Sequence, residues 1–144
     1  AFGAWKEVCD VEFVVVEDEN EADLKIQFVD DMNDAFIGSP TAGDLGRTGK
    51  NFIHIDATQR WIVSDDKKSG GEGFQFQPVI LHLIGHLLGF EHVSNKSSVM
   101  HPIYNPTKTT LNAVDRAVLC SRASFQGSRA QPHDATIWTA FYIN

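Results

Sequence analysis

The stretch HLIGHLLGFEH, residues 82–92, holds His82, His86 and His92, with Gly85 and Gly89 between them. Residues four apart on a helix share a face, so His82 and His86 can turn toward one point. Gly89 suits the left-handed residue that closes a helix, and His92 can then swing back from the segment beyond it. Imidazole nitrogen binds zinc at about 2.0–2.1 Å, and three such ligands leave a fourth position open. That is the geometry of a catalytic type of site, since structural zinc is normally closed by four protein ligands. One histidine on an apolar face is ordinarily a core residue. Three at this spacing predict a single zinc ion held by His82, His86 and His92.

The elements that must carry this triad can be read around it. QPVILHLIGHLLG (77–89) predicts a helix, with Pro78 in its first turn and Gly89 just past its end. FGAWKEV (2–8) places Phe2, Trp5 and Val8 on one helical face, and LNAVDRAVLCSRA (111–123) does the same with Leu111, Val114, Val118 and Leu119. VEFVVV (11–16), ADLKIQFV (22–29) and NFIHIDA (51–57) read as strands; in the second, Leu24, Ile26 and Phe28 alternate with polar residues. GSPTAGDLGRTGK (38–50) is a loop with room for a short edge strand, and SDDKKSGGEG (64–73) is a surface loop. ATIWTAFYI (135–143) is aromatic and β-branched, a strand or an extended tail.

Composition narrows the classes of function. The 144 residues suffice for one domain with a real core, and 42% hydrophobic content argues against wholesale disorder. A net charge of −7 disfavours a nucleic-acid partner, which needs clustered Lys and Arg. No window is apolar enough to span a membrane, and no signal peptide is visible, so the chain reads as a mature or excised domain. The acidic runs EDENEAD (17–23) and DDMND (30–34) read as solvated loops, with calcium as the sharper alternative. Cys9 and Cys120 lack metal or redox spacing. They are read as one disulfide, worth about 4–5 kcal/mol in the chain-entropy model, the alternative being two buried thiols. A bridge implies an oxidising compartment.

Beyond the triad the chain resembles the matrixins, the matrix-metalloproteinase branch of the metzincin clan. HLIGHLLGFEH is similar to the signature H-E-x-x-H-x-x-G-x-x-H, and SVMHPIY (98–104) is similar to the Met-turn that follows it. Met100 lies eight residues after His92, and MHPIY matches M-x-P-x-Y, whereas astacins carry a tyrosine where Pro102 stands. HIDATQRW (54–61) resembles H-F-D-x-x-E-x-W, with His54, Asp56 and Trp61 in register, and LNAVD (111–115) resembles the start of the last helix. The likeness covers about residues 1–123, starting near the end of the family's first helix. Residues 124–144 are left as a C-terminal extension packed on the same domain.

The resemblance implies an α+β fold: a twisted, mixed five-stranded sheet, a zinc-binding active-site helix and a C-terminal helix. It implies that Met100 forms an apolar floor under the ligands, that Pro102 and Tyr104 wall a substrate pocket, and that the cleft takes an extended peptide outside the cell. Three departures qualify it. Leu83 stands where the family has the glutamate that moves protons during peptide hydrolysis; neither Glu91 nor Glu72 is placed to replace it. Of the ligands to the family's structural zinc only His54 is matched, so a second zinc is not expected and His54 reads as a strand histidine. Asp56 matches a calcium ligand, but Gln59 replaces its acidic partner. His101 and His133 read as exposed.

The leading reading is therefore a secreted zinc domain that binds a peptide or protein partner and is inactive or strongly impaired in hydrolysis. The runner-up is an active zinc endopeptidase, its glutamate exchanged by engineering or its chemistry run by another base. A third, a structural or carbohydrate-binding protein with a vestigial cleft, rests on the unmatched tail HDATIWTAFYIN (133–144).

Overall fold

Alternating apolar residues lay down the sheet. The computed structural model describes residues 1–9, 11–30, 45–63, 72–120 and 137–143, with the backbone alone at 118–120 and 137–142. Strand β1 (Val11–Val15) follows a short helix α1 (Phe2–Lys6), and β2 (Leu24–Val29) buries Leu24 and Ile26. β3 (Gly46–Thr48) runs antiparallel to β4 (Phe52–Asp56), which buries Ile53 and Ile55 and lies parallel to β2 with Ile26 opposite Ile53. Phe28, expected to face inward with Leu24 and Ile26, is 45% exposed; near the strand's end it stacks on Phe76, their ring centroids 5.9 Å apart.

A two-stranded parallel pair, β5 (Trp61–Ile62) with β6 (Phe74–Gln75), precedes the long helix α2 (Phe76–Leu87). Two-residue strands show no period, so the sequence carries no sign of this pair. Helix α3 (Ala113–Cys120) and strand β7 (Ile137–Ile143) complete the fold. β7 inserts between β1 and β2, parallel to both, and the order across the sheet is β1-β7-β2-β4-β3. The segment read as a strand or an extended tail is thus an interior strand, paired along both edges, where β-branched and aromatic residues belong.

Both helices start where local chemistry dictates. Pro78 occupies the first turn of α2, and Gly89 adopts φ +86° just past the end, the left-handed conformation open to glycine. α3 begins at Ala113, not at Leu111. Asn112 caps it, its side-chain oxygen accepting from the N–H groups of Val114 and Asp115, while Asp115 accepts from Asn112 N–H in return. Trp5 pins α1 to α2: it is fully buried, stacks on Phe90, and donates its indole N–H to the Leu81 carbonyl at 3.0 Å.

The predicted disulfide is not shown. Cys9 is buried in the core, and the Cys120 side chain lies outside the described residues. Most of the acidic run 30–34, the loop at 64–71 and His133 lie outside them too. No described helix is long and apolar enough to cross a membrane.

Candidate metal centre

Helix α2 presents His82 and His86 from successive turns, and the bend at Gly89 returns His92 to the same point. Their Nε2 atoms stand 3.0 Å (His82 to His86), 3.1 Å (His86 to His92) and 3.2 Å (His82 to His92) apart. Three nitrogens about 2.0–2.1 Å from a tetrahedral ion lie about 3.3 Å from one another, close to what is seen. The far sides of the rings are already committed. Nδ1 of His82 donates to the Val99 carbonyl at 2.7 Å, and Nδ1 of His86 donates to the Phe90 carbonyl at 2.8 Å. A carbonyl only accepts, so the ring proton sits on Nδ1 and the Nε2 lone pair turns inward.

Burial favours the neutral form of His82 and His86. Above all, loss of solvent lowers the His82 pKa from 6.5 to about 4; the Val99 hydrogen bond opposes this, and neighbouring imidazoles reinforce it. His86 is lowered chiefly by burial as well, with His92 adding to the effect. Neutral imidazoles with converging lone pairs repel one another and suit a cation at their centre. Among the described residues these three histidines form the one group of side chains that could hold a metal ion.

Met100 packs against α2 through residues the sequence did not mark. Met100 is fully buried, and a Cβ added to Gly85 would lie 2.3 Å from its sulfur and 3.0 Å from Trp5. Glycine inside a helix costs about 1 kcal/mol relative to alanine; here it lets Met100 and Trp5 pack directly against α2. That unexplained cost was the available signal. Asp115, 1% exposed, holds the chain beside Met100 by accepting from Ser98 Oγ at 2.5 Å and from Val99 N–H at 3.0 Å. Because Val99 also carries the carbonyl that fixes His82, α3 orients a ligand through one intermediary.

A cavity of about 480 Å³ opens over the triad. Residues 45–48 of β3 and the segment before it line one side; Val99, Pro102 and Tyr104 contribute to the other. Tyr104 is fixed there by accepting the Gln75 N–H at 2.8 Å. His101, expected to be exposed, is half-buried and lines the cavity; its Nδ1 accepts the Ile103 N–H at 3.2 Å. Leu83 is 4% exposed and lies against β3, where a Cβ on Gly46 would approach its Cδ1 to 2.6 Å. Glu91 and Glu72 are exposed and do not line the cavity.

The other two polar positions singled out in the sequence are not joined to this site. His54 lies on β4 opposite Arg47 and packs its ring on Phe52, with centroids 4.3 Å apart. Asp56 is surrounded by its own loop: Thr58 N–H and Oγ donate to one carboxylate oxygen and Gln59 Nε2 donates to the other at 2.8 Å. Burial raises its pKa, but these donors together pull it below 3.8.

Comparison with known proteins agrees with the geometry. The matrixin family model matches residues 1–121. Metalloendoproteinase 1-MMP of Arabidopsis thaliana is 41% identical over 113 residues, 74% of this chain and 30% of that protein. Metalloendoproteinase 4-MMP of the same plant is 34% identical over 118 residues, 78% of this chain and 34% of that protein. Karilysin of Tannerella forsythia is 30% identical over 127 residues, 80% of this chain and 25% of that protein. This chain therefore spans about a quarter to a third of the length of these relatives. With three histidines gathered as a possible zinc site, and with this match along most of its length, the chain belongs to the matrixin family of metallopeptidases.

Proposed function

We propose that the protein is a zinc-binding matrixin domain that holds an extended peptide or protein segment in its cleft and hydrolyses it poorly or not at all. His82, His86 and His92 are the metal ligands on this reading, Met100 is the Met-turn residue beneath them, and Pro102 and Tyr104 wall the peptide pocket. Zinc bound there supplies Lewis acidity that polarises a peptide carbonyl and eases deprotonation of water. The chain itself must then move a proton from water to the departing amine. Leu83, directly after the first ligand, has no group that can do so.

That residue carries the proposal. Its side chain is buried against Gly46 on the cavity side of α2, and no carboxylate among the described residues lines the cavity. Loss of a positioned acid/base costs about 10²–10⁴ in rate. β3 ends the sheet, paired with β4 on one side only among the described residues, so its other edge offers backbone groups to an extended peptide. Family membership supports an extracellular setting.

The alternative, an active endopeptidase, has one observation in its favour. His101 lines the cavity, and imidazole is the commonest general base. The reading of the tail as a separate binding element loses its support, since β7 is built into the sheet.

Peptidase assays on the zinc-loaded protein and on Leu83→Glu decide between the first two. Glutamate at this position is expected to raise the rate by about 10²–10⁴. Ordinary protease rates in the unaltered chain, abolished by His101→Ala, would establish the alternative instead.

A further inference from the structure

We propose that the cleft selects acidic peptides, a refinement that rests on the peptide-binding reading above. The molecule as a whole is acidic, with 19 Asp and Glu against 12 Lys and Arg. Its cleft is the reverse. Among the described residues, Arg47, Lys96 and Lys108 line it together with His101 and the triad, and no Asp or Glu does.

The two lysines are not neutralised by any described residue. Ion pairs among the described residues join Lys6 to Glu12, Lys25 to Glu19 and Arg116 to Glu7, and none involves Lys96 or Lys108. Lys108 instead donates to the carbonyl of Ser97, the residue after Lys96 in the chain. The carboxylate behind this wall, Asp115, is buried and turned inward, accepting from Ser98, Val99 and Asn112. Leu83 adds no compensating charge.

A recess with low-dielectric walls and charge of one sign concentrates its field at the opening. The surrounding negative surface weakens distant attraction of an anion, so the preference is decided at contact, by carboxylates reaching Lys96 and Lys108. A peptide suits this recess better than a nucleic acid because the edge of β3 left unpaired among the described residues offers main-chain pairing along the cavity, and only a peptide backbone matches that ladder. A metal ion at the triad adds positive charge in the same place, but the two lysines act without it.

The test uses the whole chain, with and without zinc, and fluorescent end-blocked peptides of equal length: Asp/Glu-rich, Ser/Ala and Lys/Arg-rich, plus a single-stranded oligonucleotide. At low salt the acidic peptide is expected to bind at least about tenfold tighter than the neutral one, with the basic peptide weakest and the advantage shrinking as salt is added. Lys96→Glu/Lys108→Glu should erase the preference, whereas Lys6→Glu/Lys25→Glu, the same change in net charge elsewhere, should preserve it. Lys96→Glu alone, at an exposed site, should give part of the loss if the double variant fails to fold. Equal binding of all three peptides, equal or tighter binding of the oligonucleotide, or equal loss in the control pair would overturn the proposal. Zinc content is measured on the same samples. Acidic preference without zinc uptake refutes the metal reading alone; zinc uptake without acidic preference refutes this one alone.

Discussion

Two places in this molecule invite a cation in the sequence, the triad strongly and Asp56 weakly, and the structure separates them further. At the triad, three ring nitrogens converge on one point, and carbonyls on the far side hold two of the rings in that pose. At Asp56 a formal negative charge is present, yet its oxygens already accept from Thr58 and Gln59. Charge therefore is the poorer guide. What marks a cation site is a set of acceptors that the protein orients and does not satisfy.

The sharpest way to break this contrast is to remove a ligand. His86→Ala should lower zinc affinity at least about a hundredfold, read by competition with a chromophoric chelator, while Asp56→Asn leaves it unchanged. Equal losses in both variants would mean that the two places are not distinct.

Acid separates them next. The folded His82 pKa of about 4 lies below its unfolded value of 6.5, so between these the unfolded chain holds more protons. Stability of the metal-free domain is then full above pH 6.5 and declines as pH falls toward 4, and zinc uptake declines with it. Asp56 is also lowered, from 3.8, so its contribution is intact above that pH and is lost only on further acidification. Urea midpoints across this range should show the first fall well before the second. One merged transition below pH 4 would contradict the buried-histidine account.

Packing under the triad gives a smaller effect. Gly85→Ala drives a methyl into Met100 and should cost about 1–3 kcal/mol in unfolding free energy, with weaker zinc binding. An unchanged urea midpoint would show that Met100 yields at no cost. The smallest change is expected at the other place. Gln59→Glu removes a donor from Asp56 and adds a second carboxylate, so stability should fall by about 1–2 kcal/mol and return with millimolar calcium. Failure of calcium to restore it would show that geometry, not the glutamine alone, bars the ion.

Local patterns carried much of this molecule. The triad, Gly89 and the helix start at Pro78 depend on neighbours a few residues away, and spacing alone made them legible. So did the main strands, whose period of two is set by burial on one face. Gly85, Gly46 and Asp115 were silent because their reasons lie in Met100, Leu83 and Ser98, on other elements. The interior place of β7 was silent too, since pairing partners in a parallel sheet leave no mark on a strand's own residues.

By itself the sequence determined which side chains can bind a metal and that Leu83 brings no titratable group beside them. Tertiary structure alone decided that the three lone pairs meet, that Leu83 turns against β3, and that the cleft of an acidic protein is lined by cations. Composition is a sum over the chain, whereas a site's field and its unspent hydrogen bonds depend on which distant residues the fold brings within a few ångströms.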